Sequence, residues 1–192
     1  MTKSAHSPAI AKKFCKLCDW LMQIYEMRKF LFDENSDVSK LQTPRHAHFF
    51  YRLQEVLQEN WLHQLAKLHD PAVQGGAKGH INLSVPYMIE YGDWDLQVRT
   101  KLIDLQSKMT TLANPIRDAR NKVLSHNDLA VLLADAQLGG FDPGADDLYF
   151  EALKEFAAVV SETVLGEPFL RDDLVKNDVS VFMHQFIRGE ET

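Results

Sequence analysis

The chain has 192 residues, of which 45% are apolar and 25% are charged. A chain of this length buries roughly 70% of its unfolded surface, so it needs no disulfide or metal to fold, and its composition excludes wholesale disorder and collagen-like architectures. The net charge of −6 argues against nucleic-acid binding over the whole surface but is compatible with a local basic site. No apolar run approaches the ~20 residues that span a bilayer, and residues 1–7 lack the apolar core of a signal peptide. We therefore expect a cytoplasmic protein without membrane contacts.

The first part of the chain predicts two long amphipathic helices. A Ser-Pro pair at residues 7–8 is a helix start signal, and the 3.6-residue period then continues to about Phe32. The polar residues 33–41 interrupt this period. A Thr-Pro pair at residues 43–44 repeats the start signal, and the second helix ends at the Asp-Pro pair at residues 70–71. Its apolar residues are Phe50, Leu53, Leu57, Trp61, Leu65 and Leu68.

The middle of the chain predicts a loop and a third long helix. The glycine-rich residues 74–80 lack the spacing of a phosphate-binding loop and are interpreted as a mobile loop. Ser84 caps a short turn that reaches Tyr91, and Asp93 begins a helix with Leu96, Leu102 or Ile103, Leu105 and Met109. An Asn-Pro pair at residues 114–115 predicts the start of a separate short helix that reaches about Ser125.

The last third predicts further helices. Asn127 ends the short helix, and another short turn covers residues 129–136. After a loop, residues 148–165 form a clear amphipathic helix that ends at Gly166, and residues 172–188 form a last amphipathic helix or arm. The apolar residues predicted to face inward from the helix over 148–165 are Phe150, Leu153, Phe156, Val160 and Val164.

These patterns predict the all-α class: an up-and-down helical bundle of four to five main helices, with short connecting helices and no sheet. No run alternates with the period of a strand, and no repeat of 20–50 residues is present. We expect a single helical domain over residues 1–192, with a core at about 8–165 and a C-terminal helical arm at 166–192.

The sequence does not predict a metal or a cofactor. Cys15 and Cys18 lie in a helical apolar stripe, which favours core packing over a redox or zinc site, since no second cysteine pair follows. The rings of His46 and His48 point ~200° apart on a helix and cannot share one metal. The Glu-x-x-His pattern of a di-metal bundle site does not occur.

One basic segment, residues 113–128, differs from its acidic surroundings. It places Arg117, Arg120 and Lys122 within six positions of the chain and ends with His126. Arginine offers a planar set of donors that suits phosphate, and histidine exchanges protons near neutral pH. The structural alternative is a solvated helical face that pairs with carboxylates, with a histidine placed favourably at a helix C-terminus.

The chemistry that this segment offers is RNA cleavage without metal. In this interpretation His126 moves a proton at the 2′-hydroxyl or the leaving oxygen, and Arg120 stabilises the charge on the phosphoryl oxygens. Asn121 orients either partner or donates to phosphate. Arg117 and Lys122 are the candidate substrate-binding residues.

The spacing of the catalytic candidates bears on assembly. Arg120 and His126 are separated by ~120° around and ~9 Å along an ideal helix, so they do not share one stripe. One phosphate could contact both residues if His126 swings out at a frayed helix end, or if the site lies in a groove between two copies of the chain.

The run from Arg120 to His126 resembles the Arg-polar-(x)4-His signature of the HEPN superfamily, and Asn121 stands at the polar position. The form RNKxxxHxD is similar to the AbiU-type abortive-infection proteins of that superfamily. The upstream layout is also similar, with a helix that ends near residues 65–71 and the Asn-Leu-Ser triplet at 82–84. The resemblance covers roughly residues 45–165.

This resemblance implies an all-α bundle, a homodimer and a composite site at the dimer cleft. It implies that Arg120 and His126 are the catalytic pair and that Asn121 assists them, in a metal-independent endoribonuclease of phage defence or of a toxin-antitoxin system. RNA and an antitoxin protein are the partners it implies. Family members that are modified by a nucleotidyltransferase carry Tyr two residues after the histidine; here that residue is Asp128, so this partner is not expected. A catalytically silent interaction or nucleotide-binding protein of the same fold is the alternative.

Overall fold

The computed structural model describes residues 4–75, 79–119 and 141–190. Its elements, in chain order, are α1 (Pro8–Arg28), a π-helical turn (Lys29–Asp33), α2 (Val38–Leu41), α3 (Ala47–Leu68), β1 (Val73–Gln74), β2 (His80–Ile81), α4 (Val85–Glu90), α5 (Leu96–Ala119), α6 (Ala145–Leu165) and α7 (Val175–Glu190). Five of these helices have 16 to 24 residues. The prediction of the all-α class is confirmed.

A two-residue antiparallel pairing flanks the predicted glycine-rich loop. Val73 pairs with Ile81, and Gln74 pairs with His80. The sequence predicted a loop and no sheet here, because two residues are too few to show the alternation by which a strand is recognised. Residues 76–78, between the two strands, lie outside the described part of the chain.

Capping residues mark the starts of α4 and α5 and the end of α6. Ser84 caps α4 as predicted, since its Oγ accepts a hydrogen bond from the Tyr87 amide at 3.3 Å. The start of α5 lies later than predicted: Asp95 Oδ1 accepts a hydrogen bond from the Val98 amide at 2.8 Å. Gly166 ends α6 as predicted and has a positive φ of 70°, which glycine adopts without steric cost.

The predicted helix start at Asn114-Pro115 was wrong. Both residues lie inside α5, which continues to Ala119. The neighbouring Ala113 and Ile116 are buried at 0% and 1% exposure, and α5 packs along α6. This packing stabilises the helix across a proline that on its own would favour a break. The predicted short helix over 129–136 lies outside the described residues.

The inward face of α6 is displaced from the predicted one. Leu153, Phe156 and Val160 are buried as predicted, whereas Phe150 and Val164 are half-buried. The fully buried residue at the start of the helix is Tyr149, which is spaced four residues before Leu153 and so completes one helical stripe. The helix begins at Ala145, earlier than the predicted Leu148, and carries two aspartates in its first turn.

The chain divides into two compact units. Unit 1 comprises residues 1–18 and 62–170, and unit 2 comprises residues 19–61 and 171–192. The division falls inside α1 and α3, so each of these helices contributes residues to both units.

The core of unit 1 forms where α1, α5 and α6 contribute apolar side chains. The ring centroids of Phe14 and Phe156 are 5.6 Å apart, and Leu102 and Met109 of α5 are fully buried. Of the two residues that the sequence left open on α5, Leu102 is therefore the core residue, and Ile103 is 42% exposed. A single apolar stripe on each helix thus builds this core.

The core of unit 2 is rich in aromatic residues. Phe50 of α3 packs against Phe182 and Phe186 of α7, with ring centroids 6.3 and 5.4 Å apart. Tyr25 and Trp61 meet edge to face at 5.7 Å. The predicted helix over 172–188 is therefore present as α7, and its apolar face packs within unit 2.

Candidate functional site

The basic segment begins on the last turns of α5. Ala113 and Ile116 are the last residues of α5 that the structure shows to be buried, and they anchor the helix just before Arg117. Arg117 lies in the last described turn of α5. The other candidate residues, Arg120, Asn121, Lys122 and His126, lie outside the described residues. The catalytic assignment of these residues therefore stays a prediction.

The described chain resumes at Phe141, which packs against the start of α6. Its ring centroid lies 5.3 Å from that of Tyr149 and 6.4 Å from that of Phe150. The residues that carry the basic segment therefore leave one helix, α5, and return to another, α6, that packs against it.

A part-buried hydrogen bond joins the start of α6 to His69, the residue that follows α3. The Tyr149 hydroxyl lies 2.9 Å from Nε2 of His69, and the two rings are 5.8 Å apart. Burial, and to a smaller extent neighbouring Cys18, raises the pKa of Tyr149 well above its usual range. The hydroxyl therefore stays protonated at neutral pH and can fix these two helix ends relative to each other within unit 1.

The two cysteines are core residues, as predicted. Cys15 is 7% exposed and Cys18 is fully buried, and both are free thiols. Cys15 Sγ donates to the carbonyl oxygen of Ala157 at 3.7 Å, and burial raises the pKa of its thiol to about 11. A thiol in this state is a weak nucleophile near neutral pH.

The described residues hold neither a cluster of metal ligands nor a helix that could span a membrane. Within 4–75, 79–119 and 141–190, no three His, Cys, Asp or Glu residues group closely enough to hold a metal ion. In the same part of the chain, no helix combines the length and apolarity needed to cross a bilayer.

The comparison with known families decides what kind of protein this is. The model of the AbiU2 family of HEPN proteins matches residues 9–182, which is nearly the whole chain. The chain belongs to the HEPN AbiU2 family. No curated protein and no solved structure matches it. The resemblance predicted from residues 45–165 is thus confirmed and extends further in both directions.

In this HEPN protein, the range matched by the family model includes the whole basic segment at 113–128 and the helices on either side of it. The range also includes the pair formed by His69 and Tyr149, which sequence reasoning missed. One weak signal for that pair is present in the sequence: His69 directly precedes the Asp-Pro pair at residues 70–71, which was predicted to end the second helix. Nothing in the spacing of the two residues, 80 positions apart, connects them.

Proposed function

We propose that this HEPN protein is a metal-independent endoribonuclease. The observation that supports the proposal is the family match over residues 9–182, which contains an intact Arg-polar-(x)4-His signature at Arg120, Asn121 and His126. Histidine and arginine beside a phosphodiester supply a proton shuttle and a fixed positive charge, which suffice for cleavage by the internal 2′-hydroxyl.

In the proposed reaction, the 2′-oxygen of the RNA attacks the neighbouring phosphorus, and the bond from phosphorus to the 5′-oxygen breaks. His126 acts as general base or general acid, because it takes the 2′-hydroxyl proton or gives a proton to the leaving 5′-oxygen. Arg120 holds the charge on the phosphoryl oxygens, with Asn121 assisting, and Arg117 and Lys122 bind the flanking phosphates. The products are a 2′,3′-cyclic phosphate, or the 3′-phosphate formed from it, and a free 5′-hydroxyl.

We further propose that the active form is a homodimer with residues 113–128 near the two-fold axis. The reason is the ~120° that separates Arg120 from His126 on an ideal helix, which makes a poor site on one chain. Static light scattering at tens of micromolar protein tests this assembly. A monomer at that concentration contradicts it.

The biological role that fits such an activity is phage defence or a toxin-antitoxin system, with RNA as the substrate and an antitoxin protein as the inhibitor. The net charge of −6 favours a second candidate, a catalytically silent HEPN protein that binds a partner through the same face, because phosphate binding needs a positive field.

Ribonuclease activity of the purified protein, measured in the presence of EDTA, tests the proposal. The double variant Arg120→Ala, His126→Ala should abolish cleavage. The matched control is Arg99→Ala, His184→Ala, which removes the same two side-chain types from exposed positions on α5 and α7. Cleavage that requires added magnesium, or that persists in the first variant, contradicts the mechanism. A wild type that cleaves no RNA but binds a partner protein supports the silent alternative.

A further inference from the structure

Unit 1 contains a cavity of about 400 Å³ between the first helix, the end of α3 and the β-hairpin. Its volume lies in the range of about 300–1,000 Å³ that is typical of small-molecule sites. Its wall combines apolar and polar side chains: Leu17, Gln64, Lys67, Leu68, Asp70 and Asn82. The cavity is formed by described residues distant in sequence from the basic segment at 113–128.

Two carboxamides in this wall have hydrogen-bonding atoms to offer. Nδ2 of Asn82 donates to the carbonyl oxygen of Pro71 at 2.9 Å, which fixes the side chain and leaves Oδ1 as an acceptor. Gln64 is half-buried, and the described residues give its carboxamide no hydrogen-bond partner. Together they present donors and acceptors beside an apolar wall, which is the chemistry that recognises the edge of a nucleobase.

A strip of three lysines on α1 precedes Leu17, the residue of this helix that lines the cavity. Residues 8–18 contain Lys12, Lys13 and Lys16 and no acidic residue, although the whole chain has a net charge of −6. All three lysines are exposed, and no carboxylate of the described residues pairs with them. Lys13 lies one helical turn before Leu17, on the same face of α1, so its charge is close to the cavity wall.

We infer that this part of unit 1 is a binding site for single-stranded RNA, in which the lysine strip contacts phosphates and the cavity takes one unpaired base. The inference rests on RNA being the substrate, as proposed above. The wall carries one cation, Lys67, and one anion, Asp70, so it has no excess positive charge to hold a phosphate; the carboxylate accepts hydrogen bonds from ring and amino N–H groups, which a base has and a phosphate lacks. The ligand must be single-stranded, since a paired base cannot leave its helix at low cost.

Fluorescence anisotropy with a short, labelled single-stranded 2′-O-methyl RNA tests this site on the wild-type chain. This probe lacks the free 2′-hydroxyl and cannot be cleaved by the proposed reaction. Between about 50 and 200 mM salt, the variant Lys13→Ala, Lys16→Ala should lower the slope of log affinity against log salt concentration by about 1.4, because each lost phosphate contact on a single strand contributes about 0.7.

The cavity requires a separate variant. Gln64→Met keeps the side-chain volume and removes the polar atoms, and it should weaken binding about tenfold without changing the salt slope. The variant Lys108→Ala, Lys154→Ala is the matched control for the lysines, because both residues are exposed on other helices of unit 1, α5 and α6. The control should leave affinity and slope unchanged, and a duplex of the same sequence should bind more weakly than the single strand.

Two results overturn the inference: a control pair that lowers the salt slope as much as the strip variant, or a Gln64→Met variant with unchanged affinity. Cleavage of unmodified RNA, measured in parallel, separates this inference from the proposed function. Binding with the expected pattern but without cleavage supports the site and contradicts the nuclease. If the wild type cleaves RNA but its RNA affinity depends on neither the lysine strip nor Gln64, the binding site is contradicted and the proposed nuclease is not.

Discussion

Replacing Tyr149 with Phe removes one hydroxyl from the interior of unit 1 and keeps the aromatic ring that packs against Phe141. The ring is fully buried, and its hydroxyl forms a hydrogen bond of 2.9 Å with Nε2 of His69. The variant therefore tests one hydrogen bond between the end of α3 and the start of α6 with little change in packing volume.

The expected cost follows from the burial of the two partners. A hydrogen bond contributes a net ~0.5–1.5 kcal/mol, and a buried partner left unpaired costs ~1–3 kcal/mol. His69 is half-buried, so water reaches it in part and the cost lies toward the lower end. We expect the free energy of unfolding to fall by about 1–2 kcal/mol. For a chain of this length, that corresponds to a decrease in Tm of about 2–8 °C.

Thermal unfolding followed by far-UV circular dichroism measures this change. Tyr91→Phe is the matched control, because Tyr91 also lies in unit 1 and the described residues give its hydroxyl no hydrogen-bond partner. Its effect should stay within about 0.5 kcal/mol. Equal Tm values for the two variants would refute the assigned role of the hydrogen bond.

Four further predictions concern single residues. Ser84→Ala removes the hydroxyl that accepts from the Tyr87 amide and should lower stability by about 0.5–2 kcal/mol in chemical denaturation. Pro115→Ala should raise Tm, because an exposed proline inside α5 cannot donate the helical hydrogen bond that alanine supplies; a lower Tm would show that the helix needs the proline. The folded-state pKa of Cys15 is raised from 9.0 to about 11, so the neutral thiol stabilises the fold below pH 9 and this stability is lost as the pH rises to 11. The variant Cys15→Ala should reduce this loss of stability between pH 9 and 11, measured as a pH series of unfolding curves. A loss as steep as that of the wild type contradicts the prediction. His126→Ala should lower the rate of RNA cleavage at least ~10²-fold at unchanged Tm, and DNA should not be cleaved by either protein.

Local signals in the sequence were sufficient for the class of fold and for several helix ends. The serine cap of α4 and the glycine after α6 act within one helical turn, so their effects can be read from neighbouring residues. The burial of both cysteines follows from their place in an apolar stripe of period 3.6. The signature at Arg120 to His126 likewise needs only the order of residues, and the family match confirms the resemblance that it suggested.

Tertiary packing decided what local signals could not. The Asn114-Pro115 pair is a valid helix start in isolation, but Ala113 and Ile116 are buried on a helix that packs on α6, and this burial stabilises the continuous helix through the proline. On α6 the sequence predicted that Phe150 faces inward, but the fully buried residue at the start of the helix is Tyr149. The hydrogen bond to His69, 80 residues away, satisfies the buried hydroxyl and makes the tyrosine position possible. The cavity beside Asn82 likewise depends on chain segments that meet only in the folded protein, because its wall combines residues of α1, α3 and the hairpin.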